Sequence, residues 1–199
     1  MIKAVIFDLG GVLFTNGTKK FATDLCSRHG LEMNFVKEVL DGELGSLYRE
    51  AKISRNDFWK QVLIKLNIAE DIDLLEKEWI DDYELIDGTK IIISELAKKY
   101  RVLYLSDNIK ERVEALDKMY GFVGWFSGGV FSHEAGVRKP NPKIYELALK
   151  EAGVEASEAL FVDDKESCLE TAREMGMETV LFETPEKLRE SLLATGLLE

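Results

Sequence analysis

The sequence predicts an α/β fold, in which a doubly wound parallel sheet is interrupted by an inserted segment that is helical throughout. Short apolar runs alternate with helical patterns at the N-terminus and again after residue 87, which predicts the sheet. From residue 19 to about residue 85 the apolar positions follow helical spacing with hardly any strand signal, which predicts the insertion. We therefore expect a core made of residues 1–16 and 86–199 and an inserted helical cap made of residues 17–85.

The first predicted strand ends at a single carboxylate. An apolar run, Ala4 to Phe7, stops at Asp8 and is followed by Gly10 and Gly11. Such a run is typical of a buried strand in a parallel sheet, and ligands bind just beyond the carboxyl ends of these strands. The glycines allow a sharp turn that brings backbone amides close to a ligand. The alternative is that Asp8 merely ends the strand and begins a turn.

Several short helices are predicted for the insertion. Gly30 and Gly42 are expected helix stops, and Ser54 is expected to cap the N-terminus of a helix that carries Phe58. A further helix is predicted from Asp73 to Tyr83. Several helices with short links and no strand are typical of a small bundle.

Side chains of the insertion have a structural and a functional interpretation. Phe58, Trp59 and Trp79 have helical spacing, which favours packing in the interior over a platform for substrate. Tyr48 and Arg49 lie in a short polar segment that could face a cleft, although a structural role is favoured. An acidic stretch lacks the spacing of a calcium loop and is expected to be a solvated helix face: Asp71, Asp73, Glu76 and Glu78.

After residue 87 the alternation of strands and helices returns. The predicted elements, in order, are a helix over 90–99, a strand over 102–105, a helix over 111–120, a short strand near 130–131, a helix opened by Pro140 and Pro142 that runs to about residue 152, a strand over 159–162, a helix over 167–175, a strand over 178–182 and a last helix over 184–193.

Polar residues follow the predicted strands. Ser106 and Asp107 end one strand, Asp163 and Asp164 end another, and Lys139 lies between them in the chain. In a parallel sheet these residues converge with Asp8 at one edge, where several carboxylates need positive compensation. Oxygen ligands of this kind favour Mg²⁺, and a hydroxyl and an ammonium in the same cleft suit a phosphate dianion.

Four motifs in this order resemble the haloacid dehalogenase-like (HAD) superfamily of hydrolases, with its Rossmann-like core and helical cap. They are FDLGGVL, LYLSDN, GVRKPNPKIY and LFVDDKESC. The stretch SHEAGVRKPNPKIYELAL is similar to small sugar-phosphate phosphatases of this superfamily and to the phosphatase domain of soluble epoxide hydrolases. The resemblance implies a hydrolase that removes phosphate from a small phosphorylated metabolite.

Residue roles follow from the resemblance. It implies that Asp8 is the nucleophile and forms an aspartyl-phosphate, with Ser106 and Lys139 completing the catalytic group. The implied Mg²⁺ ligands are Asp8, the backbone carbonyl of Gly10 and Asp163, with Asp164 supporting the metal. The implied phosphate-binding residues are Gly11, Ser106, Asp107 (through its amide) and Lys139.

Two positions depart from the family pattern. Gly10 stands where the family usually has an aspartate that serves as general acid and base, so slow turnover is expected. Lys165 follows the acidic pair, where small polar residues are more usual. We expect Lys165 to point to solvent or to form a structural ion pair.

Composition narrows the class of partner. A formal net charge of −11 argues against non-specific nucleic-acid binding, so an anionic substrate needs a local positive site. Cys26 and Cys168 are far apart and are expected to be free thiols, a single disulfide being the alternative. The sequence suggests neither a signal peptide nor a membrane span, which predicts a cytoplasmic protein without a membrane partner and sets no oligomeric state.

Three functions of different classes are compatible with the sequence. The first and favoured one is a Mg²⁺-dependent phosphatase. The second is a dehalogenase that would use Asp8 on carbon without metal, against which the Asp163-Asp164 pair argues. The third is a non-catalytic binding protein on the same scaffold, a hypothesis motivated by Gly10.

Overall fold

A parallel sheet of five strands forms the centre of the computed structural model, which describes residues 1–199. The strands are β1 (Ala4–Phe7), β2 (Arg101–Ser106), β3 (Gly128–Phe131), β4 (Ala159–Asp163) and β5 (Glu178–Leu181), in the spatial order β3-β2-β1-β4-β5. In the register, Phe7 of β1 lies opposite Tyr104 of β2 and Val162 of β4. The carboxyl end of β1 is therefore flanked on both sides, and the predicted fold class is confirmed.

Five helices lie between β1 and the rest of the sheet in the chain: α1 (Gly17–His29), α2 (Met33–Asp41), α3 (Glu43–Arg49), α4 (Arg55–Leu66) and α5 (Ile72–Asp81). Two predicted signals are confirmed, because Gly30 ends α1 in the left-handed conformation and Ser54 accepts a hydrogen bond from the Asp57 N–H at the start of α4. Tyr48 and Arg49 lie on α3, which the sequence predicts only as a short polar segment.

An aromatic cluster forms the interior of these five helices. Phe58, Trp59 and Trp79 are fully buried, and Phe58 stacks on Trp79 with ring centroids 5.8 Å apart. Phe21 of α1 stacks on the same indole at 6.0 Å. The prediction that these aromatic residues pack in the interior is confirmed. Their large buried apolar area and their stacked and edge-to-face ring contacts stabilise the packing of the helices against one another.

Glu76 corrects the expectation of a solvated acidic face. It is 8% exposed, and one of its carboxylate oxygens accepts hydrogen bonds from Trp59 Nε1 at 3.0 Å and from the Tyr48 hydroxyl at 3.3 Å. The other oxygen forms an ion pair with Arg55 Nε at 2.7 Å. Helical spacing does not distinguish a buried carboxylate from an exposed one when the partners come from other helices. Asp71 has a different role, since it caps α5.

Six further helices cover the two faces of the sheet: α6 (Asp87–Leu96), α7 (Lys110–Tyr120), α8 (Ser132–Ala135), α9 (Pro142–Ala152), α10 (Glu166–Glu174) and α11 (Pro185–Ala194). One apolar cluster joins Ile6 to α9 and α10, and another joins Val5 and Phe7 to α6, α7 and α11. Because successive strand residues point to opposite faces, β1 is buried on both. None of the helices has the length and apolar character needed to cross a membrane.

The chain enters and leaves the inserted helices through two segments that lie side by side. The Thr15 N–H donates to the Glu84 carbonyl, and the Ile86 N–H donates to the Leu13 carbonyl, each at 2.8 Å. The predicted helix over 73–83 ends at Asp81, so Tyr83 belongs to the returning segment and not to α5. This pairing places Tyr83 beside the loop that follows β1.

Candidate active site

Three carboxylates meet at the carboxyl edge of the sheet. Asp8 follows β1, Asp163 is the last residue of β4, and Asp164 comes next. Each offers an oxygen within 4.8 Å of the others, so the group could hold a metal ion. The convergence that the sequence predicts is present for these residues because neighbouring parallel strands end at the same edge.

Lys139 lies between two of these carboxylates. Its ammonium is 2.8 Å from Asp8 Oδ1 and 2.6 Å from Asp163 Oδ2, and all three side chains are buried. Burial alone would lower the pKa of Lys139, but the negative charges of Asp163 and Asp8 outweigh it and hold the pKa well above its usual value. Lys139 therefore carries a permanent positive charge at the centre of the site.

One ammonium does not neutralise three carboxylates. Burial raises the pKa of Asp8 to about 6, since Lys139 offsets only part of the desolvation and Asp163 adds repulsion. Burial and the charge of Asp8 also raise the pKa of Asp164. Asp164 Oδ1 is buried without a hydrogen-bond partner. An orphaned carboxylate oxygen next to two further carboxylates matches the oxygen donor set that Mg²⁺ prefers.

The glycine loop is fitted closely around Asp164. Gly11 has a φ of +94°, and a Cβ at this position would clash with the Asp164 carboxylate. Only a residue without a side chain lets the two approach. The Gly11 N–H, for which the sequence suggests a phosphate contact, donates to the Phe14 carbonyl at 2.7 Å. In this conformation that amide is already paired. The loop's geometry therefore assigns Gly11 the role of leaving room for the Asp164 carboxylate.

Ser106 and Asp107 occupy the end of β2. Ser106 is 1% exposed and does not line the open cleft beside Asp8. The Asp107 carboxylate accepts hydrogen bonds from the Lys139 N–H at 3.0 Å and from Arg138 Nε at 3.1 Å. It thereby fixes the loop that carries Lys139. The Asp107 N–H has no partner within the chain and remains available to a ligand oxygen.

A cleft of about 50 Å³ opens between this edge and the inserted helices. Residues of the core line one side: Asp8, Gly10, Asp107, Arg138, Lys139, Lys165 and Cys168. The returning segment, α1 with its N-cap, and the ends of α2 and α3 line the other: Asn16, Thr18, Asp41, Arg49 and Tyr83. Because ten of these twelve residues are not hydrophobic, the cleft suits a small polar ligand.

The cations in the cleft differ in what they contact. Arg49 forms an ion pair with Asp41 at 2.7 Å, and Arg138 forms one with Asp107. Lys165 is exposed, as one of the two expectations has it, and forms no ion pair within 4.0 Å, Asp164 included, while its side chain also lines the cleft. Its ammonium is therefore the cation in this cleft that no carboxylate neutralises by direct contact.

Cys168 also lies at the cleft, as a free thiol like Cys26. It is 4% exposed, and burial raises its pKa to about 11. Such a thiol stays protonated and is a weak nucleophile at neutral pH. The expectation that Cys168 is a packing residue agrees with this environment.

Sequence reasoning did not single out Thr18, Asp41 and Tyr83 for this site. Their approach to Asp8 depends on how the inserted helices pack, which no local pattern encodes. For Tyr83 a local signal existed, since it lies just before the predicted return to the core. Arg49, for which a substrate role was the less favoured interpretation, does line the cleft, but its guanidinium is held by Asp41 and by two backbone carbonyls.

Comparison with known proteins gives a consistent assignment. Residues 2–176 match the model of the haloacid dehalogenase-like hydrolases. The chain is 27% identical over 212 residues to the D-ribitol-5-phosphate phosphatase of Bacteroides thetaiotaomicron, covering 96% of this chain and 97% of that protein. It is 27% identical over 203 residues to a glyceraldehyde 3-phosphate phosphatase of Pyrococcus abyssi, covering 92% and 82%.

The fold is also similar to that of a solved HAD family enzyme from Bacteroides thetaiotaomicron, in complex with magnesium and inorganic phosphate. The TM-score is 0.74 and the identity 20%, over 92% of this chain and 96% of that one. At this identity the likeness concerns the fold alone. It agrees with the α/β core and helical cap that the sequence predicts.

Proposed function

Because the chain belongs to the haloacid dehalogenase-like hydrolase family, we propose that it is a Mg²⁺-dependent phosphatase of a small phosphorylated metabolite, such as a sugar phosphate. The observation that carries this proposal is the group Asp8, Asp163 and Asp164, whose oxygens lie within 4.8 Å of one another beside the Lys139 ammonium. A divalent cation and a fixed positive charge together can hold a phosphate dianion next to an anionic carboxylate nucleophile.

We propose that the carboxylates of Asp8 and Asp163 hold Mg²⁺ together with the carbonyl of Gly10, and that Asp164 supports it. When bound, the ion offsets the repulsion between an anionic nucleophile and an anionic substrate. Two observations support this assignment: Asp164 Oδ1 has no hydrogen-bond partner, and Gly11 lies close against the Asp164 carboxylate. So does the relative that has been solved with magnesium and phosphate.

In the proposed reaction, Asp8 attacks phosphorus and forms an aspartyl-phosphate, which water then hydrolyses. Lys139 stays between Asp8 and Asp163, where its charge stabilises the phosphoryl oxygens and holds the nucleophile in place. The free Asp107 N–H donates to another phosphoryl oxygen, and the buried Ser106 hydroxyl is assigned to the same task. Arg138 keeps this loop in position through Asp107.

The cleft limits the size of the substrate. A volume of about 50 Å³ accommodates a phosphoryl group or a few water molecules, whereas a larger molecule requires that the inserted helices move away. We propose that residues 17–85 act as a cap that closes over the substrate, and that Asp41 and Arg49 meet its polar groups. The names of the relatives are those of phosphatases of short phosphorylated metabolites, which supports a substrate of this class.

The experiment is phosphate release from p-nitrophenyl phosphate and from a panel that includes D-ribitol 5-phosphate and glyceraldehyde 3-phosphate, with Mg²⁺ or with EDTA. We expect turnover that requires Mg²⁺ and falls at least about 10³-fold in Asp8→Asn, because the nucleophile is lost. Glu78→Asn, on the outer surface, serves as the control.

Two results would replace this proposal. Halide release from a 2-haloacid in the presence of EDTA would establish the dehalogenase. If wild type and Asp8→Asn release phosphate equally slowly while the protein still binds Mg²⁺ and phosphate, a binding role becomes the better account.

A further inference from the structure

Tyr83 stands directly over the loop that follows the nucleophile. It is 8% exposed and lines the same cleft as Asp8 and Gly10. A Cβ at Gly10 would lie 3.6 Å from Tyr83 Cε1, in ordinary van der Waals contact. The phenol ring therefore lies where a longer side chain at position 10 would extend.

A chain of hydrogen bonds lies behind Tyr83. Trp79 Nε1 donates to Thr18 Oγ1 at 3.0 Å, and Thr18 Oγ1 lies 2.7 Å from the Tyr83 hydroxyl. An indole can only donate, so Thr18 accepts from Trp79 and has one proton to give. The Tyr83 oxygen is within reach of that proton, and either of the two hydroxyls can be the donor.

One of the two donor directions leaves the Tyr83 proton free. When Thr18 donates to the Tyr83 oxygen, the phenolic O–H has no acceptor within the chain. It can then donate to a ligand in the cleft. Thr18 and Tyr83 both line the cleft, so a ligand oxygen that accepts from Tyr83 leaves Thr18 as the donor to the Tyr83 oxygen.

A buried cation lies against the same ring. The Arg112 guanidinium is 1% exposed, with Cζ 4.3 Å from the ring centroid of Tyr83 and 4.1 Å from that of Trp79. Its Nε and Nη2 have no hydrogen-bond partner. No carboxylate within 4.0 Å neutralises this charge, so it can stabilise negative charge that develops on the Tyr83 oxygen.

The other acidic groups of the cleft are poor proton donors. Burial would raise the pKa of Asp41, but Arg49 and neighbouring cations hold it below its usual value, so Asp41 is ionised. Asp107 is engaged by Arg138 and by a backbone amide. Lys139 is held by two carboxylates. Lys165 is the remaining competitor, because its ammonium is free of direct partners.

We propose that Tyr83 is the catalytic residue that protonates the leaving group, an inference that rests on the proposed phosphatase function. As an Asp8 oxygen bonds to phosphorus, the bond from phosphorus to the leaving oxygen breaks and that oxygen keeps the electron pair. It takes the Tyr83 proton and departs as an alcohol. Water then attacks the phosphorus of the aspartyl-phosphate and gives a proton to the Tyr83 phenolate, while phosphate and the Asp8 carboxylate are released.

The test uses Tyr83→Phe and two substrates with different leaving groups. p-Nitrophenol leaves readily as an anion, whereas the alcohol of an alkyl phosphate needs a proton. For the alkyl phosphate that wild type cleaves fastest in the panel above, we expect kcat/KM to fall about 10²-fold. For p-nitrophenyl phosphate we expect a change below about threefold, since general acid catalysis contributes little there.

Two further variants sharpen the test. Thr18→Val removes the group that orients the phenol, and we expect an alkyl-selective loss of about tenfold, the equivalent of one hydrogen bond. Tyr120→Phe is the matched control, because Tyr120 packs against Phe14 outside the cleft, with ring centroids 5.7 Å apart, and should leave both substrates unaffected.

An equal loss on both substrates, with unchanged thermal unfolding, would show that Tyr83 only positions the substrate and would overturn the proposal. An unchanged Tyr83→Phe enzyme would also overturn it, and an alkyl-selective loss in Lys165→Met would then assign the role to Lys165. A wild-type protein without Mg²⁺-dependent turnover is a separate result, because it removes the phosphatase function itself.

Discussion

The two walls of the cleft balance their charges in different ways. At the sheet edge, one buried ammonium faces three carboxylates, and the oxygen Asp164 Oδ1 has no partner. In the inserted helices, the buried Glu76 has Arg55, Trp59 and Tyr48 as partners. The sheet-edge wall has an unpaired carboxylate oxygen, whereas Glu76, in the interior behind the facing wall, has both carboxylate oxygens paired. Mg²⁺ should therefore change the stability of one wall and not that of the other.

The largest effect is expected at Lys139. Lys139→Met leaves the buried Asp8 and Asp163 carboxylates without their cation, and should lower the free energy of unfolding in EDTA by about 3 kcal/mol or more. Mg²⁺ should restore part of the loss because it supplies positive charge at the same carboxylates. Urea unfolding with and without Mg²⁺ measures both.

Lys165→Met is the matched control for this prediction. It removes an ammonium from the same cleft that has no ion pair, so a change within about 0.5 kcal/mol is expected. Equal losses of unfolding free energy in the two variants would show that the effect at Lys139 does not come from its ion pairs with Asp8 and Asp163.

A smaller effect, independent of metal, is expected in the inserted helices. Glu76→Gln keeps the size of the side chain but turns an amide group towards a guanidinium or an indole, and should cost about 2 kcal/mol. Mg²⁺ should not restore this loss. Glu78→Gln, whose half-exposed ion pair with Arg28 contributes about 0.5 kcal/mol, is the control. Rescue of Glu76→Gln by Mg²⁺ would show that the two walls are coupled.

The pH dependence of Mg²⁺ binding tests the sheet-edge wall alone. Burial raises the pKa of Asp8 to about 6, above its value in the unfolded chain. Protonation of Asp8 therefore stabilises the metal-free folded state at low pH. This contribution is lost as the pH rises through about 6. Mg²⁺ requires the ionised carboxylate. Its affinity should therefore fall by up to about tenfold per pH unit below 6.

Titration calorimetry at pH 5 and pH 7.5 measures this change. Asp8→Asn should bind Mg²⁺ more weakly and with less dependence on pH. An affinity that is the same at both pH values would argue against Asp8 as a ligand.

The smallest effect is expected at the glycine loop. Gly11→Ala and Gly30→Ala both place a side chain at positive φ, which costs about 1 kcal/mol in each. Only Gly11→Ala also displaces the Asp164 carboxylate, since nothing lies within 4 Å of a Cβ at Gly30. We therefore expect Mg²⁺ affinity to fall about tenfold in Gly11→Ala and to stay unchanged in Gly30→Ala.

The sheet edge was largely predictable because its information is local. Apolar runs that end at Asp8, at Ser106 and at Asp163 identify strands and their carboxyl ends from a few consecutive residues each. Parallel pairing then brings these ends together, whatever the rest of the chain does. The three carboxylates and Lys139 do meet there, which the order of the motifs suggests.

The facing wall was not predictable in the same way. Helical spacing identified Phe58, Trp59 and Trp79 as interior residues, yet it assigned Glu76 to solvent and placed Tyr83 inside a helix. Both assignments depend on partners from other helices or from a paired connecting segment. The pairing of the Gly11 amide with Phe14 likewise follows from a turn geometry that two glycines permit but do not specify.

The sequence by itself determined the parallel α/β core, the helical insertion and the acidic edge with its lysine. The reason is that strand polarity and side-chain periodicity are properties of short segments. Only the tertiary structure decided that Tyr83 stands over Gly10, that Arg112 lies against its ring and that Lys165 is left without a partner. These contacts depend on the relative placement of helices that are distant in the sequence. That placement results from many weak packing interactions, which no single segment of the chain specifies.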